Sequence, residues 1–419
     1  MYVLVSFAQE KFSTVSNGLS EKINFATGLG TDSRLDIVLK FLKFFGSCPL
    51  SRNTHYSFKW TTSTLLSLCA ALYFVFTYIV LVTHLTFKKF FIFGEGVRRT
   101  FTMLETAMKA ESNPTKANSS MQALHLVILC LSTQAVISIT LSWQSSFKLA
   151  EYLNNWNPIQ NRFSSIFSSD DQNQQKHLGM LSFIPSASTR TLIQWFDVGL
   201  CCYVIVLGLF LTIIPAIAMS GSDQCSELWL ILNFVVHNNM VEVLEDVKNV
   251  LIYRSLSDAF ERTRSCIQQN LERGEPTELA VQSWRQILKQ IQRQCKLAGR
   301  CLMPMQLAFL VNLLTGGTSC VFVCLNGFGS SRLSIAVSVM CGALFASWLS
   351  RLYFKILMAE KISEAELAIA SDLVEMDSAG FSSPVLAQIR LTYDTLVQAP
   401  SRINFGNFVV LNKSLFLGV

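Results

Sequence analysis

The sequence predicts an all-α protein, a polytopic bundle of transmembrane helices with six full spans, the start of a seventh and a cytoplasmic amino terminus. Of the 419 residues, 51% are hydrophobic and only 15% are Asp, Glu, Lys or Arg, against about 25% charged residues in a typical soluble domain. Several apolar stretches reach the length of about 20 residues that a helix needs to cross lipid. Basic residues concentrate between alternate stretches, which indicates the orientation of the chain.

The first three spans are predicted at residues 61–85, 121–143 and 198–219, which contain no Asp, Glu, Lys or Arg. The fourth span, residues 225–245, is less apolar because Asn233 and His237 lie inside it. Apolar residues continue at helical spacing beyond Glu242, which predicts one long helix that leaves the membrane with a wet face.

The fifth and sixth spans are predicted at residues 302–325 and 333–350, and the stretch 405–419 is predicted to be the start of a last helix, too short to cross. Before the fifth span, Thr277 is a plausible N-cap of an amphipathic cytosolic helix that continues into the span. One face of this helix is apolar and consists of Val281, Trp284, Ile287, Leu288, Ile291 and Cys295. Residues 359–376, after the sixth span, show a similar stripe.

Most basic residues lie in the loops that a cytoplasmic amino terminus places inside the cell, above all between Lys248 and Arg300. Positive residues are retained on the cytosolic side of a membrane, so we expect the amino terminus inside. Contact with anionic membrane lipid accounts for the net charge of +6. Nucleic-acid binding is not expected, because the sequence shows no stacking platform or known nucleic-acid-binding motif.

The sequence favours neither an enzyme nor a metal or cofactor site. The five histidines are scattered without paired spacing, and no serine elbow or glycine-rich phosphate loop accompanies them. Cysteines inside apolar stretches are expected to pack as small hydrophobic residues. One alternative is a disulfide from Cys225, in the predicted turn between the third and fourth spans, to Cys320 or Cys324 in an oxidising space.

Two segments carry a family resemblance. Residues 39–50 form an amphipathic stretch that ends in Gly46 and Pro49, and near the end of the chain stand Pro400, Ile403, Gly406 and Phe408, then Leu411, Asn412 and Lys413. The first is similar to the lead-in, and the second to the entry into the last helix, of the arthropod gustatory and odorant receptor superfamily. The layout of the spans resembles this superfamily too, most closely its gustatory branch.

This resemblance implies a multi-pass plasma-membrane receptor, a ligand-gated cation channel that is opened by a small-molecule tastant and assembles as a homo- or hetero-tetramer. If the ligand pocket follows the family's position in the outer half of the bundle, the candidate ligand-binding residues are Trp229, Asn233, Thr318, Phe322 and Asn326. Aromatic walls with few polar groups suit small organic ligands.

The family's signature in the last helix, a Thr-Tyr pair followed by apolar residues and Gln-Phe, has no match here, since Thr392-Tyr393 precedes the last stretch and Asp394 follows it. The resemblance therefore implies a chain that stops before the pore-lining half of that helix, through natural truncation or an incomplete gene model.

Two other classes of membrane protein are weighed against the receptor channel. A G-protein-coupled receptor has an outside amino terminus, typically with Asp-Arg-Tyr after its third span and Asn-Pro-x-x-Tyr in its last, and the spans contain neither motif. A secondary transporter has repeated halves with matching glycine or proline breaks. Pro215 is the only proline well inside a long span, so the pattern favours the receptor channel.

Overall fold

The structure is a computed structural model of the whole chain. It describes residues 33–52, 55–58, 114–167, 225–272, 276–326, 332–376, 381–398, 400–405 and 409–411, with individual helical residues between 62 and 76. Of the predicted spans, 198–219 and most of 61–85 lie outside the described residues.

Seven helices and two small hairpins make up the described part of the chain. The helices are α1 (Ser33–Phe44), α2 (Pro114–Asn154), α3 (Trp156–Phe167), α4 (Cys225–Glu272), α5 (Glu278–Asn326), α6 (Arg332–Glu375) and α7 (Ser383–Gln398). Strands β1 (Leu50–Arg52) and β2 (Tyr56–Phe58) pair antiparallel, as do β3 (Asn404–Phe405) and β4 (Val409–Val410). The predicted all-α class is confirmed, apart from these two-stranded hairpins.

Four predicted spans fall inside helices that are far longer than a span. Residues 121–143 lie in α2, 225–245 in α4, 302–325 in α5 and 333–350 in α6. Among the described residues, two helical stretches are long and apolar enough to cross a membrane, namely Glu278–Asn326 and Val337–Glu375. The chain therefore continues from a predicted span into a helical extension without a break, as expected for α4 and α5.

The predicted apolar stripe of α5 forms the centre of the helical bundle that lies beyond the predicted spans. Val281, Trp284, Ile287, Leu288, Ile291 and Cys295 are all at most 1% exposed. Thr277 caps the helix as predicted, since its hydroxyl oxygen accepts a hydrogen bond from the backbone N–H of Ala280 at 3.3 Å. On α6, the stripe of Ile362, Ala365, Ile369 and Leu373 is buried as well. A helical period of apolar residues thus predicted the packing faces of both helices correctly.

The lead-in before the first span ends in a Schellman motif. Gly46 has a positive φ of 82°, a conformation that favours glycine. The N–H of Ser47 donates to the carbonyl oxygen of Leu42 at 2.8 Å, and that of Gly46 to Lys43 at 3.1 Å. Trp143 of α2 then donates its indole N–H to the carbonyl oxygen of Gly46 at 2.8 Å. This turn therefore fixes α1 against α2.

The predicted helix start at residue 405 is wrong over the described residues. Phe405 and Val409 pair in a β-hairpin, and the N–H of Leu411 donates to the carbonyl oxygen of Ile403 at 3.1 Å. The physical reason is local: Gly406 weakens a helix, while the aromatic and β-branched residues around it favour strands. Residues 412–419, the rest of the predicted segment, lie outside the described residues.

Candidate functional site

Three of the predicted ligand-binding residues lie on one face of α5. Thr318, Phe322 and Asn326 follow each other at intervals of four residues, and all three are exposed, Phe322 by 39%. The Thr318 hydroxyl donates to the carbonyl oxygen of Leu314 at 2.7 Å, and the Asn326 amide donates to Phe322 at 3.0 Å. Because each group donates to its own helix, the oxygen atom of each side chain keeps acceptor capacity for a neighbour.

This face of α5 is mainly apolar. Val311, Leu314 and Leu325 lie on it and are more than half exposed. We name the exposed side chains of Val311, Leu314, Thr318, Phe322, Leu325 and Asn326 the outer face of α5. An apolar surface with a few hydroxyl and amide groups suits contact with lipid, with another helix or with a small organic molecule.

The other two predicted ligand-binding residues belong to α4. Trp229 and Asn233 lie within this helix, but their side chains are outside the described part of the structure. Their role as ligand contacts therefore stays a prediction, as does that of the three residues on α5.

The opposite face of α5 buries two polar side chains beside a glycine. A Cβ atom on Gly316 would lie 3.0 Å from Cη2 of Trp348 and 3.5 Å from Oδ1 of Asn312, so only glycine allows this approach. Asn312 is 5% exposed, and its Nδ2 atom and the indole nitrogen of Trp348 have no hydrogen-bond partner among the described residues. Asn312 is a polar residue inside the predicted fifth span, which is a signal in the sequence, whereas Trp348 had no signal beyond its place in an apolar stretch.

A network of buried charges lies where α4 and α6 leave the predicted spans. Arg351 donates to Glu242 at 2.7 Å and also pairs with Asp246, to which Lys355 donates at 2.9 Å. The ring of Phe309 on α5 lies under both cations, 5.1 Å from the Arg351 guanidinium carbon and 3.6 Å from the Lys355 nitrogen. Cations and carboxylates thus neutralise each other in a largely buried site, in which Asp246 alone of the four is partly exposed.

The network continues toward α1 and α2 through Glu245. This carboxylate pairs with Lys248 of the same helix and accepts hydrogen bonds from the hydroxyls of Ser47 and Ser142, each at 3.1 Å. Glu245 and Lys248 are both buried. The charges therefore tie α4 to α6 on one side, and to α2 and the turn after α1 on the other.

Sequence reasoning missed this network because it treated the acidic residues after the fourth span as a solvated face. One signal was present. Glu242 and Asp246 stand four residues apart on α4, and Arg351 and Lys355 stand four residues apart on α6, so each pair shares one helix face with matching spacing.

Deeper in the bundle beyond the predicted spans, α4 and α6 meet through a two-pronged ion pair. Nε and Nη2 of Arg264 donate to the two carboxylate oxygens of Asp372 at 2.6 and 2.7 Å, and Gln268 adds a bond of 2.7 Å. The hydrogen bonds from Arg264 hold the pKa of Asp372 below its usual range. This pair fixes the register of the two helices at the ends that lie beyond the predicted spans.

The alternative of a disulfide from Cys225 is wrong. Cys320 and Cys324 are free thiols in the structure. Cys320 contacts Cys341, and the Cys324 sulfur donates to the carbonyl oxygen of Ser338 at 3.2 Å. Among the described residues, no group of three or more His, Cys, Asp or Glu side chains is arranged to hold a metal ion.

Comparison with known proteins gives a clear result for the fold. No model of a protein family matches the sequence, and no curated protein matches it. Two solved structures are similar across almost the whole chain, both of the insect olfactory receptor OR5 from Machilis hrabei. The first has a TM-score of 0.58 at 12% sequence identity and covers 92% of this chain and 93% of the other.

The second is the same receptor in complex with eugenol, with a TM-score of 0.56, 12% identity and the same coverage. The chain therefore has the fold of an insect olfactory receptor. This confirms, at the level of fold, the predicted resemblance to the insect chemoreceptor superfamily.

Proposed function

We propose that this chain is a chemoreceptor subunit, a ligand-gated cation channel of the plasma membrane that detects small organic molecules. The observation that carries the proposal is the similarity to OR5, because it extends over 92% of this chain rather than over a few helices. The buried charges at the inner ends of the spans agree with a membrane protein, in which ionisable residues are paired when they lie at depth.

The ligand class follows from the outer face of α5. Eugenol, which OR5 binds, is a small aromatic phenol with an ether oxygen. The exposed ring of Phe322 offers a stacking surface for such a molecule, and the oxygen atoms of Thr318 and Asn326 offer acceptors to a phenolic hydroxyl. Trp229 and Asn233 of α4 complete the proposed ligand set. No cofactor enters this proposal.

We assign the chain to the gustatory branch rather than the olfactory one. The support is the sequence similarity of the lead-in that ends in Gly46 and Pro49, and of the stretch from Pro400 to Lys413. The ligand is then a tastant, and the working unit is a homo- or hetero-tetramer in which the pore lies between subunits. We place the amino terminus in the cytosol, because the basic loops then face anionic lipid.

A binding measurement tests this proposal without depending on conductance. The full chain, purified in micelles or reconstituted in vesicles, is titrated with eugenol and with a panel of uncharged tastants, and binding is followed by calorimetry. We expect at least one ligand to bind, and Phe322→Ala to weaken its binding roughly 5- to 30-fold, since burying an aromatic contact contributes about 1–2 kcal/mol.

Val339→Ala is the matched control. It removes an apolar side chain that is about as exposed as Phe322 but lies on α6, and we expect unchanged affinity. Ligand-evoked cation currents in cells that express the chain, alone or with a second receptor subunit, test the channel activity. Equal binding by the Phe322→Ala variant and the parent would remove the outer face of α5 from the proposed site.

A further inference from the structure

Four large aromatic side chains of α1, α2 and α6 are exposed on the surface of the structure. Phe44 of α1 and Phe147 of α2 are 68% and 67% exposed, and the neighbours Tyr353 and Phe354 of α6 are 43% and 49% exposed. We name these four residues the aromatic collar. Large apolar side chains that stay exposed in groups mark a surface that contacts another molecule.

The collar residues of α1 and α2 lie near one carboxylate of α4. Ser47 follows Phe44 by three residues, and Ser142 precedes Phe147 by five. Both serine hydroxyls donate to Glu245, each at 3.1 Å. The end of α1 and this part of α2 are thus fixed at the level of Glu245.

The collar residues of α6 lie at the same level. Arg351 donates to Glu242 at 2.7 Å and pairs with Asp246, and both carboxylates are within one turn of the α4 position just described. Tyr353 and Phe354 follow Arg351 by two and three residues. Three helices therefore carry exposed aromatic rings at the level where α4 buries its charges.

The exposed side of α6 changes from apolar to aromatic to charged along the helix. In chain order, its exposed side chains are Ile335, Val339, Ala346, Tyr353, Phe354, Lys361 and Glu364. From Ile335 to Phe354 the described exposed residues carry no charge, and this part of the helix rises by about 29 Å at 1.5 Å per residue. That length matches the hydrocarbon core of a bilayer, which is about 30 Å thick.

Charged side chains lie next to the collar on the other two helices. Exposed Lys148 follows Phe147 directly, with exposed Glu151 one turn further along α2, and exposed Lys40 lies one turn before Phe44. Lysine side chains at this position reach the phosphates of anionic lipid while the neighbouring rings stay in an apolar layer. A bilayer contacts every helix at the same level, whereas a protein partner covers one contiguous patch.

We propose that the aromatic collar lies at the boundary between the acyl chains and the headgroups of the inner leaflet, and that it sets the depth of the protein in the bilayer. Aromatic side chains are enriched at this boundary in membrane proteins. The inference rests on the proposed function, which makes the chain a membrane receptor with a cytosolic amino terminus. Phe147 and Phe354 each lie four residues beyond the predicted end of their span, at residues 143 and 350, so both helices leave the acyl chains one turn later than predicted.

Photochemical cross-linking to lipid tests the collar. The photoreactive residue benzoylphenylalanine replaces one residue at a time, and the full chain is reconstituted in vesicles of phosphatidylcholine and phosphatidylserine. After irradiation, mass spectrometry quantifies the phospholipid adduct on each variant. We expect substitution at Phe44, Phe147 or Phe354 to give at least roughly threefold more adduct than substitution at Leu391.

Two positions of similar exposure are the matched controls. Val339, 49% exposed within the predicted sixth span, should capture lipid, with the new bond further along the acyl chain than at the collar positions. Leu391, 48% exposed on α7, should not capture lipid. It lies one turn after Gln388, which donates to Glu278 at the end of α5 that is distant from the predicted span.

The outcomes separate the collar from the proposed function. Lipid capture at Val339 but not at the collar positions would overturn the collar alone. Capture of a second copy of the chain at the collar positions would overturn it in favour of an interface between subunits. A lack of lipid capture at Val339 as well would overturn the membrane placement together with the collar. If the collar positions capture lipid and no tastant binds, the collar stands and the proposed ligand function fails.

Discussion

The side-chain nitrogen of Lys355 lies 3.6 Å from the centroid of the Phe309 ring while it donates a 2.9 Å hydrogen bond to Asp246. One buried cation thus contacts an aromatic face on α5 and a carboxylate on α4. Both contacts operate away from water, where the attraction between a cation and a ring reaches about 2 kcal/mol. The three long helices α4, α5 and α6 are therefore connected through the side chain of Lys355.

A double-mutant cycle measures that contact. We expect Phe309→Leu and Lys355→Met each to destabilise the protein, and the double variant to lose less than the sum, with a coupling free energy of about 1–2 kcal/mol. The measurement is the free energy of unfolding from denaturant titration in mixed micelles. Strict additivity of the two single variants would show that the ring contributes packing alone.

A methyl group at Gly316 should disrupt the contact of α5 with α6. Gly316→Ala places a Cβ atom 3.0 Å from Trp348, and overpacking of this kind costs about 1–3 kcal/mol. Gly342→Ala is the matched control, because its nearest neighbour would be the Cys324 sulfur at an ordinary 3.6 Å. The smaller ring of Trp348→Phe should rescue Gly316→Ala in thermal unfolding, and a lack of rescue would place the strain elsewhere.

Stability should depend on Asp372 in a defined pH range. Its pKa is lowered by Arg264, so the ion pair stabilises the fold above the unfolded Asp pKa of about 3.9 and stops doing so as the pH falls through the folded pKa. At pH 7 we expect Asp372→Asn to cost about 1 kcal/mol, a modest value because Arg264 is partly exposed to solvent.

The difference between Asp372→Asn and the parent should then shrink in unfolding experiments as the pH falls below about 3.9. Glu375→Gln, a change at an exposed carboxylate on the same helix, should alter stability by less than about 0.5 kcal/mol at any pH. If the free energy of unfolding of Asp372→Asn stays below that of the parent by the same amount in acid, the loss of stability is not electrostatic.

The orientation of α5 in the membrane can be tested by labelling two matched positions on this helix. Leu279 and Leu325 stand at opposite ends of this helix and are each 74% exposed. With a cytosolic amino terminus, we expect an impermeant maleimide added outside intact cells to label Leu325→Cys but not Leu279→Cys, above the level of the parent chain. Permeabilised cells should label both. Labelling of Leu279→Cys alone on intact cells would reverse the proposed topology.

The parts of the fold that follow one helical period were predictable. Val281, Trp284 and Ile291 recur at helical spacing behind the Thr277 cap, so the sequence alone indicated which face of α5 is buried. The same logic explains why Thr318, Phe322 and Asn326 share a face, since residues four apart are neighbours on a helix.

The parts that depend on distant partners were not predictable. Glu242 and Asp246 pair with cations about a hundred residues later in the chain, and no local pattern shows that two helices cross there. The β3–β4 hairpin was missed for a local reason. A short apolar run with Phe405, Val409 and Val410 can form either a helix or a strand, and its period does not decide between them.

Helix α5 runs for 49 residues without interruption, which corresponds to a rod of about 74 Å at 1.5 Å per residue. A rigid helix of this length moves at both ends when it tilts about its midpoint. By this geometry, a tilt of about 5° around its midpoint moves Phe322 by about 2.6 Å and moves Gln292, on the other side of the midpoint, by about 1.3 Å in the opposite direction. A tilt that starts beside Phe322 would thus lengthen or shorten the 2.7 Å hydrogen bond from Gln292 to Glu366 of α6.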